Sequence, residues 1–179
     1  TENQIVISDN GLGIPALEVE KTLISIGNSK KSSENSRGFR GIGRLSALSY
    51  CKRLTFTTSY KGEAIATQII IDASKLSEVL ADDSQSDVTV VDVLESVYTI
   101  LTKPEKDEEH YFSVQLDGVD TNSRLLSYAD VEDYLTQNAP VPYSPDFVWG
   151  KEIVKRLRNE GLTISSYNIF LVYGTRVAP

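Results

Sequence analysis

The sequence predicts an α/β fold built on a mainly antiparallel sheet, and three observations carry that expectation. Short apolar runs bounded by turn residues alternate with segments of helical spacing, two of those runs are joined by a tight turn, and the later strands follow as hairpins rather than βαβ crossovers. At 179 residues, 40% hydrophobic and 24% charged, the chain is long enough to bury an ordinary core.

Ile5 to Ser8 is an apolar run stopped by Asp9-Asn10-Gly11, the pattern of a buried strand ended by a turn. Pro15 suits the first turn of a helix, whose face is Leu17, Leu23 and Ile26 and whose end is Gly27. From Asn28 to Arg37 no residue is apolar, so a solvent-facing loop able to act as a lid is expected. Gly38-Phe39-Arg40-Gly41-Ile42-Gly43 then opens a second helix with Leu45, Ala47 and Leu48 on one face, ending near Tyr50. Leu54 to Ser59 and Ala64 to Ile71 form a hairpin around the turn Tyr60-Lys61-Gly62-Glu63. Asp72 to Leu80 is a short helix, Asp82 to Asp87 an acidic loop, and Val88 to Val93 a β-rich run.

The texture changes at Lys103. A charged linker to Glu109 leads to a strand at Tyr111 to Leu116, and a second unit is expected to start here, giving domains at 1–103 and 104–179. Ser127 with Asp130 three residues on reads as a helix N-terminus, with Val131, Tyr134 and Leu135 as the apolar face up to Asn138. Pro140, Pro142 and Pro145 favour an extended connector. Lys151 to Glu160 is a helix stopped by Gly161, and the alternation Tyr167, Ile169, Leu171, Tyr173 is a half-buried strand.

Composition excludes several function classes. Lys+Arg of 18 against Asp+Glu of 25 gives a net charge of −7, the opposite sign to most duplex-binding domains, so DNA is disfavoured as a partner. One Cys and one His cannot build a Cys/His zinc site or a disulfide framework. No run approaches the roughly 18 to 20 apolar residues of a membrane span, so a cytoplasmic protein with no membrane partner is expected. There is no Met, and Thr1 is not an initiator residue, so the chain is expected to be a fragment.

Two glycine clusters carry the chemistry. An Asp at the end of a buried strand needs donors, and the exocyclic amine of adenine is one; Asp9 is therefore a candidate adenine ligand. Gly11 and Gly13 are expected to leave room for a base or sugar beside the backbone. Gly38, Gly41 and Gly43 stand before a helix, where free N–H groups and the positive dipole end favour phosphate. Arg37, Arg40 and Arg44 lie beside that loop, and Lys30 and Lys31 precede it. Each piece alone is an ordinary turn or solvated loop; the order and spacing of the set make it specific.

At these residues the chain resembles the superfamily of gyrase, 90-kDa heat-shock chaperones, histidine kinases and MutL, whose ATP-binding unit is the Bergerat fold. Ile7 to Ile14 is similar to the adenine-binding motif, Ile26 to Lys31 to the start of the ATP lid (28–37), and Arg37 to Ser46 to the phosphate-binding box. The resemblance implies an α/β two-layer sandwich with a mixed, mainly antiparallel sheet, helices on one face, and a smaller α/β segment following. It implies ATP and Mg²⁺ as ligands, held by Asp9, Gly11, Gly13, Ile14, Lys30, Gly38, Gly41, Ile42, Gly43 and Arg44, with Thr89 supporting the adenine carboxylate. Val88 stands where the family often has Gly. The helix that supplies the family's catalytic Glu and metal-binding Asn should precede Asp9; Glu2 and Asn3 are too near to serve, so no catalytic or metal-binding residue is expected in this fragment.

Tyr111 to Val114 and Val131 to Tyr143 resemble the continuation of chaperone-like members, which implies slow Mg-dependent ATP hydrolysis driving lid closure, with a protein client and a homodimer as partners. Gly38-Phe39-Arg40-Gly41 also resembles MutL, so a DNA-repair ATPase stays open, as does a module that senses ATP without hydrolysing it. Gly11-Leu12-Gly13-Ile14-Pro15-Ala16 fits a dinucleotide fingerprint, but Lys31 stands where the ribose-binding acid belongs, and no glycine cluster precedes Lys-Ser or Lys-Thr as in a Walker loop. His110 and Cys51 are expected to pack rather than react, and the aromatic cluster Tyr143, Phe147 and Trp149 to serve domain packing.

Overall fold

A computed structural model describes residues 3–24, 43–81, 90–174 and 176–178. They fall into two compact units, 1–122 and 123–179.

The first unit is a five-stranded sheet in the order β1-β5-β2-β3-β4, formed by β1 (Gln4–Asp9), β2 (Arg53–Ser59), β3 (Ile65–Asp72), β4 (Tyr98–Pro104) and β5 (Tyr111–Asp117). Every ladder among them is antiparallel. The expected hairpin is present, with Phe56 opposite Ile69 and Leu54 opposite Ile71. Because side chains alternate across a strand, one face collects Leu54, Phe56, Ile69, Ile71 and Leu116, all buried. Phe56 stacks on Phe112 at 6.0 Å on this face. The helices cover it: α1 (Ala16–Leu23) packs on β3 through the buried Val19 and Leu23, and α2 (Ala73–Leu80) packs on β2 and on α3 (Val90–Val97). The opposite face is polar, with Gln4 and Gln115 amides donating to the Asp117 carboxylate and Ser8 to Ser113. The Gln4 hydrogen bond leads the causes that hold Asp117 below its ordinary carboxylate value.

Three expectations change. The β-rich run at 88–93 turns into α3 from Val90, because Val93, Leu94 and Val97 recur at helical spacing and are all buried; burial overrides the β-branched preference. The expected linker at 103–109 begins inside β4, which runs to Pro104. The strand β5 is inserted between β1 and β2, so residues 104–122 pack with the first unit, whereas the sequence reading starts the second unit at 104.

The second unit contains α4 (Tyr128–Asn138), α5 (Gly150–Asn159) and a small ribbon of β6 (Leu171–Tyr173) and β7 (Arg176–Ala178). Ser127 caps α4 by accepting from the Asp130 N–H. The acid does not close the reciprocal bond of a capping box; it pairs with Arg124 instead. The strand expected from Tyr167 is confined to 171–173, since only these residues find a partner strand.

Candidate functional site

The site is built from the tip of β1. Asp9 closes the strand opposite Phe112 of β5, with its side chain exposed. Its Oδ1 accepts the Gly11 N–H at 2.8 Å, the turn geometry an Asp favours two residues before a free amide. A Cβ on Gly11 would lie 2.6 Å from that same oxygen. The room left by this glycine is therefore taken by the Asp9 carboxylate, and a side chain there would push the carboxylate aside.

Gly13 answers a different demand. Its φ is +71°, and a Cβ would lie 1.8 Å from the Ser59 carbonyl oxygen and 3.1 Å from that of Tyr111. The loop is pressed onto the backbone ends of β2 and β5, so this glycine makes space for the sheet. The next amide, Ile14 N–H, donates to Thr58 Oγ1 at 2.8 Å, and that hydroxyl donates on to the Tyr111 carbonyl. Glu63 accepts from the Ala16 N–H at 2.8 Å, satisfying one of the orphan amides at the start of α1, where an acid is favoured. His110 Nδ1 lies 2.8 Å from the Gly11 carbonyl. Beside it, burial first and then the Glu105 hydrogen bond push the Tyr111 hydroxyl above its ordinary value.

Thr58, Glu63 and His110 were not singled out as site residues by the sequence, and no local signal marks them. They meet the loop across 44, 47 and 99 residues of chain, and only the strand pairing brings them there.

The second glycine cluster is described only at its end. Lys30, Gly38, Gly41, Ile42, the lid at 28–37 and Thr89 lie outside the described residues. Gly43 begins the expected helix, which is a 3₁₀ helix over Gly43–Tyr50, and a Cβ on Gly43 would meet nothing within 4 Å. Arg44 sends Nε to the Leu23 carbonyl at 2.7 Å, satisfying the C-terminal end of α1, and partial burial lowers its guanidinium below the ordinary value. Cys51 is half-buried as expected, and burial followed by the Asp117 charge raises its thiol, which makes it a poor nucleophile.

A five-stranded antiparallel sheet with helices packed on one face, and a carboxylate and glycine turn at the end of its edge strand, makes an α/β two-layer sandwich. The sequence pattern of the histidine kinase-, DNA gyrase B- and HSP90-like ATPases matches residues 1–109, and the chain belongs to that family. Among solved structures, the ATPase and transducer domains of DNA topoisomerase II from Balamuthia mandrillaris match at 18% identity and a TM-score of 0.42. That likeness covers 65% of this chain and 28% of the topoisomerase chain. No curated protein matches the sequence. Among the described residues no helix is long and apolar enough to cross a membrane.

Proposed function

We propose that residues 1–122 bind ATP, with the adenine amine donating to the Asp9 carboxylate and the phosphates lying along the glycine loop that ends at Gly43. The observation that supports this is the exposed Asp9 carboxylate, held by one Gly11 N–H, at the end of the edge strand β1, which is exposed rather than buried as the sequence suggests, in a chain of this ATPase family. An ionised carboxylate accepts from an exocyclic amine and repels a carbonyl, which selects adenine over guanine. Slow hydrolysis coupled to closure of the 28–37 loop and movement of the following unit is the finer reading. It is supported by the sequence likeness to multi-domain chaperone-like members and by the presence of a separate compact unit at 123–179. Among the described residues no group of three or more His, Cys, Asp or Glu stands ready to hold a metal ion by itself; a nucleotide-bound Mg²⁺ is held largely by phosphate oxygens and water, and no described residue is assigned to it.

Calorimetry with ATP on the full-length protein and its Asp9→Asn variant tests the assignment. Binding should be abolished by the variant, because an amide is a weaker acceptor and presents its own donor to the amine; undiminished affinity would remove the adenine site from β1. Phosphate release by the same protein separates turnover from nucleotide sensing.

A further inference from the structure

Of the three side chains that hold the loop between β1 and α1, two are explained by the fold itself. Thr58 is 2% exposed and satisfies buried backbone on both sides, and Glu63 completes the start of α1. His110 differs. It is half-buried, lies one residue before β5, and reaches the one residue whose amide grips Asp9. Continuing the β1–β5 register two residues past Asp9 and Phe112 sets Gly11 opposite His110. A carbonyl oxygen can only accept, so the proton of the neutral ring sits on Nδ1 and the side chain donates.

Two hydrogen bonds, each 2.8 Å, thus run in series: His110 Nδ1–H to the Gly11 carbonyl, and Gly11 N–H to Asp9 Oδ1. Gly11 has no side chain to anchor it, and glycine has the widest backbone freedom of any residue. The turn is also exposed, and among the described residues these two side-chain hydrogen bonds are the ones made by the Gly11 peptide groups. We infer that His110 is a positioning residue, which through Gly11 directs the Asp9 carboxylate and thereby sets the strength of adenine recognition. This rests on the ATP reading above. The imidazole touches no nucleotide atom in this role. It holds the acceptor in place, so the carboxylate does not lose rotamer freedom at the moment of binding.

The test titrates ATP and GTP into the full-length protein and its His110→Ala, His110→Asn and His110→Gln variants. Losing one orienting hydrogen bond should weaken ATP by about threefold to tenfold and leave GTP unchanged, narrowing the preference for adenine. Asn carries its amide nitrogen near the place of Nδ1 and should hold ATP within about twofold of the parent. Gln carries its nitrogen at the far end, near the place of Nε2, and should fall with Ala. A bulk-packing role predicts the reverse order, with Gln rescuing best. The inference is overturned if His110→Ala binds ATP like the parent, if ATP and GTP weaken alike, or if Gln rescues as well as Asn. The Asp9→Asn variant run alongside keeps the two levels apart: full ATP affinity there removes the site, whereas loss there with an unaffected His110→Ala removes only the role of His110.

Discussion

The two units are held together by opposite means. In 1–122 the buried apolar residues run from Val19 to Val119, and the side chains that reach the site loop from other elements come from residues 44 to 99 positions away. In 123–179, Gly150 alone is buried among the described residues, and the side-chain contacts are mostly near neighbours: Ser127 with Asp130, Gln137 with Asp133, Arg156 with Glu152, and Tyr143 with Phe147. One unit is organised by strand pairing over a core; the other is organised by caps and helix-spaced pairs. Contacts of the second kind contribute tenths of a kcal/mol each, so the free energy of folding is concentrated in the sheet unit.

The largest test of that contrast is a matched pair of aromatic truncations. Phe56 is 1% exposed and stacked on Phe112, so Phe56→Ala should cost about 3 to 5 kcal/mol in urea unfolding. Tyr134 on α4 is 66% exposed, and Tyr134→Ala should stay within about 0.5 kcal/mol. Equal losses would mean that the second unit has a share in the same cooperative core.

A smaller effect separates two glycines that look alike by dihedral angle. Gly13 and Gly62 both have positive φ, at +71° and +91°. Gly62 sits in open space at the hairpin turn, so Gly62→Ala should cost only the left-handed strain of about 1 to 2 kcal/mol. At Gly13 the new Cβ would lie 1.8 Å from the Ser59 carbonyl oxygen, and backbone must move. Gly13→Ala should therefore cost about 3 kcal/mol or more, and lower ATP affinity as well, because Asp9 and Gly13 share one loop. If the two variants melt alike, the loop is not pressed on the sheet as described.

The same division decides what could be read from the sequence. The hairpin at 53–72, the cap at Ser127 and the helix stopped by Gly161 were legible because each is a local pattern of a few residues. So was Asp9 at a strand end before a glycine turn. The place of β5 was not, since nothing in Tyr111 to Asp117 indicates that β1 and β2 lie on its two sides, and the domain boundary moved with it. His110 and Glu63 were missed for the same reason. Arg44, grouped by sequence with the phosphate loop, was found at the end of α1, because a long side chain is placed by whichever acceptor the fold brings near. Gly13 was read as space for a ligand and is space for the Ser59 carbonyl, a distinction that requires knowing what lies opposite.

The smallest expected effect uses pH to ask whether the distant contacts reach the surface of the first unit. Tyr98, the first residue of β4, donates its hydroxyl to Glu20 of α1 at 2.5 Å across 78 residues. That hydrogen bond is the leading reason its hydroxyl is pushed up to about 12. The folded state thus holds the phenolic proton more tightly than the unfolded chain, where tyrosine loses it near about pH 10. The stabilisation is fully present below that value and is lost as pH rises toward about 12, where a tyrosinate would face the Glu20 carboxylate. The second unit offers a counterpart of opposite sign: Asp130, lowered first by its hydrogen bond from Arg124, contributes only above its ordinary pKa and loses that contribution in acid. The alkaline arm is the discriminating one, because Asp117 gives the first unit an acid arm of its own. Tyr98→Phe should flatten part of the fall in the unfolding midpoint between about pH 10 and 12, leaving the neutral and acid values nearly unchanged. An unaltered alkaline slope would show that α1 is docked on the sheet by Val19 and Leu23 alone, with the surface contact following the packing rather than reinforcing it.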